Sequence, residues 1–494
     1  MNKKSVVIVG GGYSGASFAL QLSRAVGVPL AISIVEPRAD LGRGLAYSTQ
    51  DPDHRLNGPL DNHTPDPGRP EELRQWAVTS GALTGDPDAT CPSGAIFLRR
   101  RDFGRFLSAA LALPGDRTGS HLDHIRDTAV AARRRGGGFE VELATGAPIH
   151  ADMLVVATGN GTPVLRPPFR PEDGTHPLIV ADPLQADWLG KAAGAKKVLV
   201  VGGGLTALDI VSSLLRLGDA RDITVISRRG LRPGSHAPLI VGPDPIDPAT
   251  APQVDLSIPI PDFLLGAPST ALGWLKAMRA EVRRAVRDGR TWHDPFDRVR
   301  DCVHRLWPRL PSDEKCRFLR RLRVYYDAHR FRAPPTNDAL VRRAEAAGRV
   351  RFLAASLAGV SAVPGQSAIG VELRRPGGRE IIRDRYDLVV NCTGLESAHA
   401  WRTSPFLASL VSQRLLAPHP TGLGFEVDDN CRAFDPAGTP QPLLRVVGPP
   451  TAGVFGEPLG AVFIAAQIQR ALPDITATLE GADASRAAFP GLPA

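Results

Sequence analysis

The chain has 494 residues, enough for two or three domains, because a single core stops growing at about 250 to 300 residues. Hydrophobic residues at 43% and charged residues at 22% are ordinary for a globular enzyme and exclude the fibrous and disordered classes. The formal charge of +8 is spread over scattered runs such as Arg133 to Arg135, without interleaved aromatics, which argues against nucleic acid and leaves anionic small molecules as partners.

No apolar run approaches the roughly 18 residues of a membrane span, so no membrane partner is expected. The first predicted strand starts about five residues in, leaving no room for a signal peptide. The five cysteines (Cys91, Cys302, Cys316, Cys392 and Cys431) lie far apart with no Cys-x-x-Cys, so neither a redox disulfide nor a metal site is expected. These features describe a reduced, cytoplasmic protein, and a homo-oligomer is compatible with them.

"VVIVGGGYSGASFALQLSRAVG" is an apolar β-branched run, a glycine turn and an Ala/Leu-rich helical pattern. Gly10 permits the tight turn, Gly12 lets backbone approach a phosphate and Gly15 lets the helix pack on the strand, with Tyr13 and Ser14 in the same turn. A pyrophosphate would sit at the helix N-terminus, where free N–H groups and the dipole favour anions. The following strand, "AISIVEP", ends in Glu36, about twenty residues beyond Gly15, where an acid accepts hydrogen bonds from ribose hydroxyls. The pattern does not separate FAD from NAD; its place ahead of a second such loop favours FAD.

"VLVVGGGLTALDIVSSLLRLG" is that second loop, with Gly202, Gly204, Leu205 and Thr206, and Ala207 at the third glycine position. Its downstream strand, "ITVISRRG", ends in Ser227, Arg228 and Arg229 instead of an acid. A hydroxyl and guanidiniums bind a 2′-phosphate by charge-assisted hydrogen bonds, so NADPH is expected here. Asp209, on the first turn of the helix, is read as a residue favoured by the helix dipole.

Two segments echo each other: "ADMLVVATGNGTPVLRP" from Ala151 and "YDLVVNCTGLE" from Tyr386. Each is an acid, an apolar strand and a Thr-Gly turn, placing Thr158, Gly159 and Gly394 beside the nucleotides, where glycine gives backbone clearance. The predicted class is α/β, with two Rossmann-like dinucleotide-binding domains, the NADPH domain inserted in the FAD domain. The FAD domain is expected over 1–175 and 346–494 and the NADPH domain over 176–345, carrying a helical and Pro-rich insertion over about 232–335. Phe318, Leu319, Leu322, Tyr325 and Tyr326 keep a rough helical period within that insertion. A further helix and a poorly ordered tail are expected after about Leu472.

Together the stretches "VVIVGGGYSG", "GRGLAYSTQDPDHRLNGP", "RRRDFGRFL", "VLVVGGGLTALD", "ISRRGLRPGSH", "RFLRRLRVYYDAHRFRAPP" and "RVVGPPTAGVFGEP" resemble the bacterial FAD/NAD(P)-binding proteins of the FAD-dependent urate hydroxylase type. These are relatives of flavin-containing and N-hydroxylating monooxygenases. The resemblance implies FAD contacts from Gly10, Gly12, Gly15, Glu36 and the Gly44, Leu45, Ala46 stretch, and an Asn57 near the flavin ring. It implies NADPH contacts from Gly202, Gly204, Thr206, Ser227 and Arg228, and places Gly448 and Glu457 at the far end of the ring. The chain departs from the family pattern at Gly456, where an aromatic is usual, and at Ala452, where an arginine is usual.

The implied chemistry is hydride transfer from NADPH to flavin, reaction with dioxygen to give a flavin C4a-hydroperoxide, and attack on its terminal oxygen by a small nitrogenous substrate (amine, amino acid or purine). Candidate pocket groups are Asn57, Asp61, His63, His236, Tyr325, His329 and Glu457, with Asn57, His329 and Glu457 taken as catalytic. A flavin oxidoreductase without oxygen insertion, and a flavin-binding regulator with little turnover, remain as alternatives.

Overall fold

The computed structural model describes residues 3–112, 119–184, 188–218, 221–237, 258–362, 365, 367–378, 380–395, 399–456 and 460–481. Strand Lys4–Val9 is a β-branched run buried on both faces, the signature of a central parallel strand covered from both sides. It lies between Leu30–Val35 and Met153–Val156, with Val9 level with both Val35 and Val156, so three strand ends converge where the first glycine loop leaves. The six-stranded sheet runs Arg432–Phe434, Pro440–Val446, Met153–Val156, Lys4–Val9, Leu30–Val35, His121–Ile125, parallel except for its first pair. One face is packed by helix Tyr13–Ala25 and the last helix, Ala461–Glu480, which Gln21 joins through a 3.1 Å bond to the Ala465 carbonyl. The other face carries a separate apolar cluster around Phe139, Leu154 and Phe425.

The second sheet repeats the plan with five parallel strands in the order Val350–Ala354, Asp222–Ser227, Lys197–Val201, Leu388–Asn391, Ile179–Val180. In each unit a three-stranded antiparallel sheet precedes the return strand: Ala129–Arg135, Gly138–Leu143 and Ile149–Ala151 in one, Ser356–Ser361, Ile369–Arg374 and Ile381–Tyr386 in the other. The echo between Ala151–Pro167 and Tyr386–Glu396 is this shared plan. It corrects the expected boundary at 346: Val350–Ala354 and Leu388–Asn391 pair within the second sheet, so the chain returns to the first sheet only with the strands from Arg432 onward.

Between Asp222–Ser227 and Val350–Ala354 the insertion forms helices Ala271–Arg287, His293–Leu306, Ser312–Arg321 and Arg323–Arg330. They share a small core of their own around Trp274, Cys302, Leu306 and Trp307. The period over Phe318 to Tyr326 is broken at Leu322, where one helix stops and the next begins. Residues 238–257 of the Pro-rich tract and the tail 482–494 lie outside the described residues. The last helix starts at Ala461, well before the expected Leu472, and carries Pro473 within it. No helix among the described residues is long and apolar enough to cross a membrane.

Three histidines are folded in as neutral rings. Burial lowers His63, His236 and His419 from 6.5 to about 4. Each takes up its proton near pH 6.5 in the unfolded chain but only near 4 in the folded one, so across that window the unfolded state binds more protons. Their stabilising contribution is complete above 6.5 and is lost as pH falls toward 4. Melting temperatures measured from pH 7 to pH 4 should decline over this window, and His63→Asn should make the decline shallower than in the parent protein.

Candidate functional site

Each glycine loop is shaped by the return strand beside it. Gly10 has φ +107°, and a β-carbon there would collide with the Ala157 carbonyl oxygen; Gly202 has φ +120° and would collide with the Cys392 carbonyl oxygen. Beyond the turns, Gly12 and Gly204 are the N-cap residues of helices Tyr13–Ala25 and Leu205–Arg216, and neither helix has a side-chain cap. Both helix N-termini therefore keep N–H groups for an anion.

At the first loop, the Glu36 carboxylate is buried and accepts from Gly11 N–H at 2.9 Å, while its other oxygen accepts from the Arg38 backbone N–H and guanidinium at 3.1 Å. Gly44 packs on Gly12, bringing the Gly44–Ala46 stretch beside the helix N-terminus, and a β-carbon at Gly448 would collide with the Ser14 hydroxyl. Thr158 Oγ1 is buried with no hydrogen-bond partner, and Thr158 Cα lies 3.0 Å from where a β-carbon on Gly10 would be. A polar atom left this way can take a partner from an ordered water or a bound group.

Tyr13 departs from the expectation of a cofactor contact. Its hydroxyl lies 2.8 Å from the carbonyls of both Thr64 and Ala461, and its ring packs against Tyr47 and Phe103, so the side chain is a core strut. Asp61 and His63 also leave the candidate set: Asp61 is paired with Arg74 at 2.6 Å, and His63 sits edge-on to Phe103 with Nδ1 on the Pro59 carbonyl. Asp209 is not held by its helix dipole alone. It is buried, its pKa raised by burial, and paired at 2.9 Å with Arg100 on helix Arg100–Ala112 of the other unit.

The second loop opens into a cleft of about 1880 Å³, lined among others by Gly204 and Arg228, which the first unit reaches through Ala46, Asn57, Arg100 and Gly159. Leu205, Thr206, Ser227, Arg229 and Gly394 line it from the second unit. Arg228 and Arg229 are exposed at its edge, Arg229 lying 5.9 Å over the Tyr325 ring. Asn57 is fixed by its backbone, its carbonyl 2.8 Å from His236 Nε2. His329 lines the insertion side, stacked on Phe296 at 4.8 Å and edge-on to Trp292, with Nδ1 2.7 Å from the Tyr325 carbonyl. Glu457 lies outside the described residues.

Sequence reasoning missed Trp307. Its indole N–H donates to the Gly453 carbonyl at 2.9 Å, pinning the insertion to the first unit's C-terminal turn. A β-carbon on Gly456 would lie 2.8 Å from Trp307 Cγ, so the tryptophan occupies the space that a side chain at 456 would need. No signal links residues 146 positions apart in the sequence. No grouping of three potential metal ligands occurs among the described residues.

The glycines give a matched pair of expectations. Gly202→Ala meets both a collision and a positive φ and should cost about 3 kcal/mol of stability. Gly204→Ala has nothing within 4 Å, so stability should hold within about 0.5 kcal/mol while binding of NADP⁺ weakens. Urea denaturation and NADP⁺ titration of the two variants check this.

Residues 7–161 match the family described as FAD-NAD(P)-binding, and residues 116–232 the family described as pyridine nucleotide-disulphide oxidoreductase. No curated protein has a matching sequence. Among solved structures, the chain is similar to the ornithine N-hydroxylase KtzI of Kutzneria sp. 744, with 16% identity, TM-score 0.62, and 97% of this chain and 99% of that one covered. It is similar to L-lysine 6-monooxygenase from Pseudomonas syringae, with 15% identity, TM-score 0.61, and coverage of 97% and 99%. It is also similar to the cadaverine monooxygenase DfoA from Erwinia amylovora, with 14% identity, TM-score 0.60, and 100% of both chains covered. At these identities the likeness is one of fold. Residues 7–161 thus resemble an FAD-NAD(P)-binding family, and the whole chain takes the fold of the ornithine N-hydroxylase, L-lysine 6-monooxygenase and cadaverine monooxygenase structures.

Proposed function

We propose that this chain is an NADPH-dependent FAD monooxygenase that hydroxylates a small nitrogenous metabolite, an amine, amino acid or purine. The observation that carries this reading is a pair of uncapped glycine-loop helices, each at the carboxyl end of its own parallel sheet, with one cleft lined by the second loop and by Ala46, Asn57 and Gly159 of the first unit. The orphaned Thr158 hydroxyl and the open space over Gly204 fit two bound dinucleotides. When bound, FAD accepts a hydride from NADPH and delivers the electrons to dioxygen, one oxygen atom going to the substrate and the other to water.

The chain's own residues bind, orient and exclude water. The N–H groups following Gly12 and Gly204 would hold the pyrophosphates, and Glu36, which orders the first loop through Gly11, would accept from the flavin nucleotide's ribose. Ser227, Arg228 and Arg229 hold the 2′-phosphate of NADPH. Asn57, its backbone carbonyl tied to His236, is the residue that would contact the flavin ring, and His329 and Glu457 are the candidate polar contacts to substrate. Trp292, Phe296 and Tyr326 add aromatic rings to the insertion side, which would help to keep water from the reacting centre. The solved relatives act on ornithine, lysine and cadaverine, all small nitrogenous molecules, which supports the substrate class.

The match of residues 116–232 to pyridine nucleotide-disulphide oxidoreductases favours a second reading, electron transfer without oxygen insertion. Rapid mixing of the NADPH-reduced, FAD-loaded protein with oxygenated buffer separates the two. Monooxygenation predicts return of oxidised flavin in two resolved phases, with peroxide released only in the slow one; single-phase return with stoichiometric peroxide overturns it. Separately, Arg228→Gln should lower the preference for NADPH over NADH by about 10- to 100-fold, the worth of a charged hydrogen bond, measured as kcat/KM for flavin reduction.

A further inference from the structure

Resting on the proposed monooxygenase reading, we infer that the substrate carries an acidic group on an aromatic or apolar body, and that Arg279 and Arg283 of the helical insertion bind that group. Among the described residues lining the cleft, Asp327 is the one carboxylate, while arginines enter from every wall. Some are already committed: Arg100 to Asp209, Arg232 to Glu345, Arg323 to Asp327. Arg228 and Arg229 follow the second-unit strand and stand where the 2′-phosphate is expected.

Arg279 and Arg283 stand together on helix Ala271–Arg287, outside both nucleotide-binding sheets, exposed at the cleft and without an ion-pair partner among the described residues; Arg166, Arg320 and Arg321 of the lining are likewise exposed and without an ion pair. Leu275, Met278, Arg279, Val282 and Arg283 all line the cleft, and their spacing of three and four places them on one helix face. Two guanidiniums thus rise from an apolar stripe. Facing the same space are Trp292, Phe296 and Phe318. An aromatic or apolar body gains from burial against these rings. Its acidic group gains charge-assisted hydrogen bonds from guanidiniums whose field is screened less in a cleft than in bulk water. A cationic amine entering the same space would meet like charge and no free carboxylate of the described lining.

The test uses the FAD-loaded protein with saturating NADP⁺, so that the nicotinamide site's own arginines are already engaged. Calorimetric titration compares three isosteric probes: 2-aminobenzoate, 2-aminobenzamide and 2-aminobenzylamine. Binding is read without turnover, so the outcome is independent of whether oxygen is inserted. The anion should bind at least ten-fold more tightly than the neutral amide, and the cation most weakly. Arg279→Gln/Arg283→Gln should abolish the anion's advantage while leaving amide affinity and melting temperature unchanged; Arg279→Lys/Arg283→Lys should retain part of it. Equal or tighter binding of the cation, or an anion preference that survives the glutamine variant, overturns the assignment.

Discussion

At the end of each central strand the chain turns into a helix while lying against a carbonyl oxygen of the neighbouring return strand, Ala157 for Gly10 and Cys392 for Gly202. No side chain fits between them. That close approach fixes three things at once: the glycine, the small turn that follows the return strand, and a helix aimed with its N–H groups at the strand ends. The three-stranded sheets that precede both return strands deliver them into this position, so the same constraint accounts for the repeated architecture of the two units.

Once two such units exist in one chain, their relative placement decides which parts of each line a common cleft. Polar and ionic contacts set it. Arg100 of the first unit pairs with buried Asp209 of the second, Arg216 reaches back to Asp51 and Asp53, and Asn337 donates to the Asp53 carbonyl at 2.9 Å. Buried pairs of this kind recover much of their worth only against their own desolvation, and their stronger effect is to penalise arrangements that leave one partner unpaired. Trp307 adds an apolar anchor with one directed hydrogen bond, closing the cleft on the side of the C-terminal turn. The insertion is therefore a shared wall, attached in sequence to one unit and docked on the other.

The legible part of the site was the part carried by backbone geometry. Gly10, Gly202 and the strand-end Glu36, Ser227 and Arg228 are separated by short, regular stretches, so spacing alone puts them at neighbouring strand ends. Isolated polar residues were less readable. Tyr13 stands within the glycine turn, yet its hydroxyl is taken by two carbonyls from distant segments, and Asp61 and His63 are taken by Arg74, Phe103 and Pro59. Residue type announces what a side chain can do, and its partners, brought from 4 to 448 positions away, decide whether it is free to do it.

What the sequence by itself determined were two strand-turn-helix nucleotide loops, their order, and the contrast between an acid ending one second strand and arginines ending the other, because short-range sterics and charge are written within some thirty residues. Only the tertiary structure decided that the strand at Leu388–Asn391 belongs to the second sheet, that Asp209 serves an ion pair across the units, and that Arg279 and Arg283 line the same cleft as the second glycine loop. Those facts depend on which buried surfaces meet over long chain separations, and a β-branched run pairs equally well with either sheet until packing chooses one.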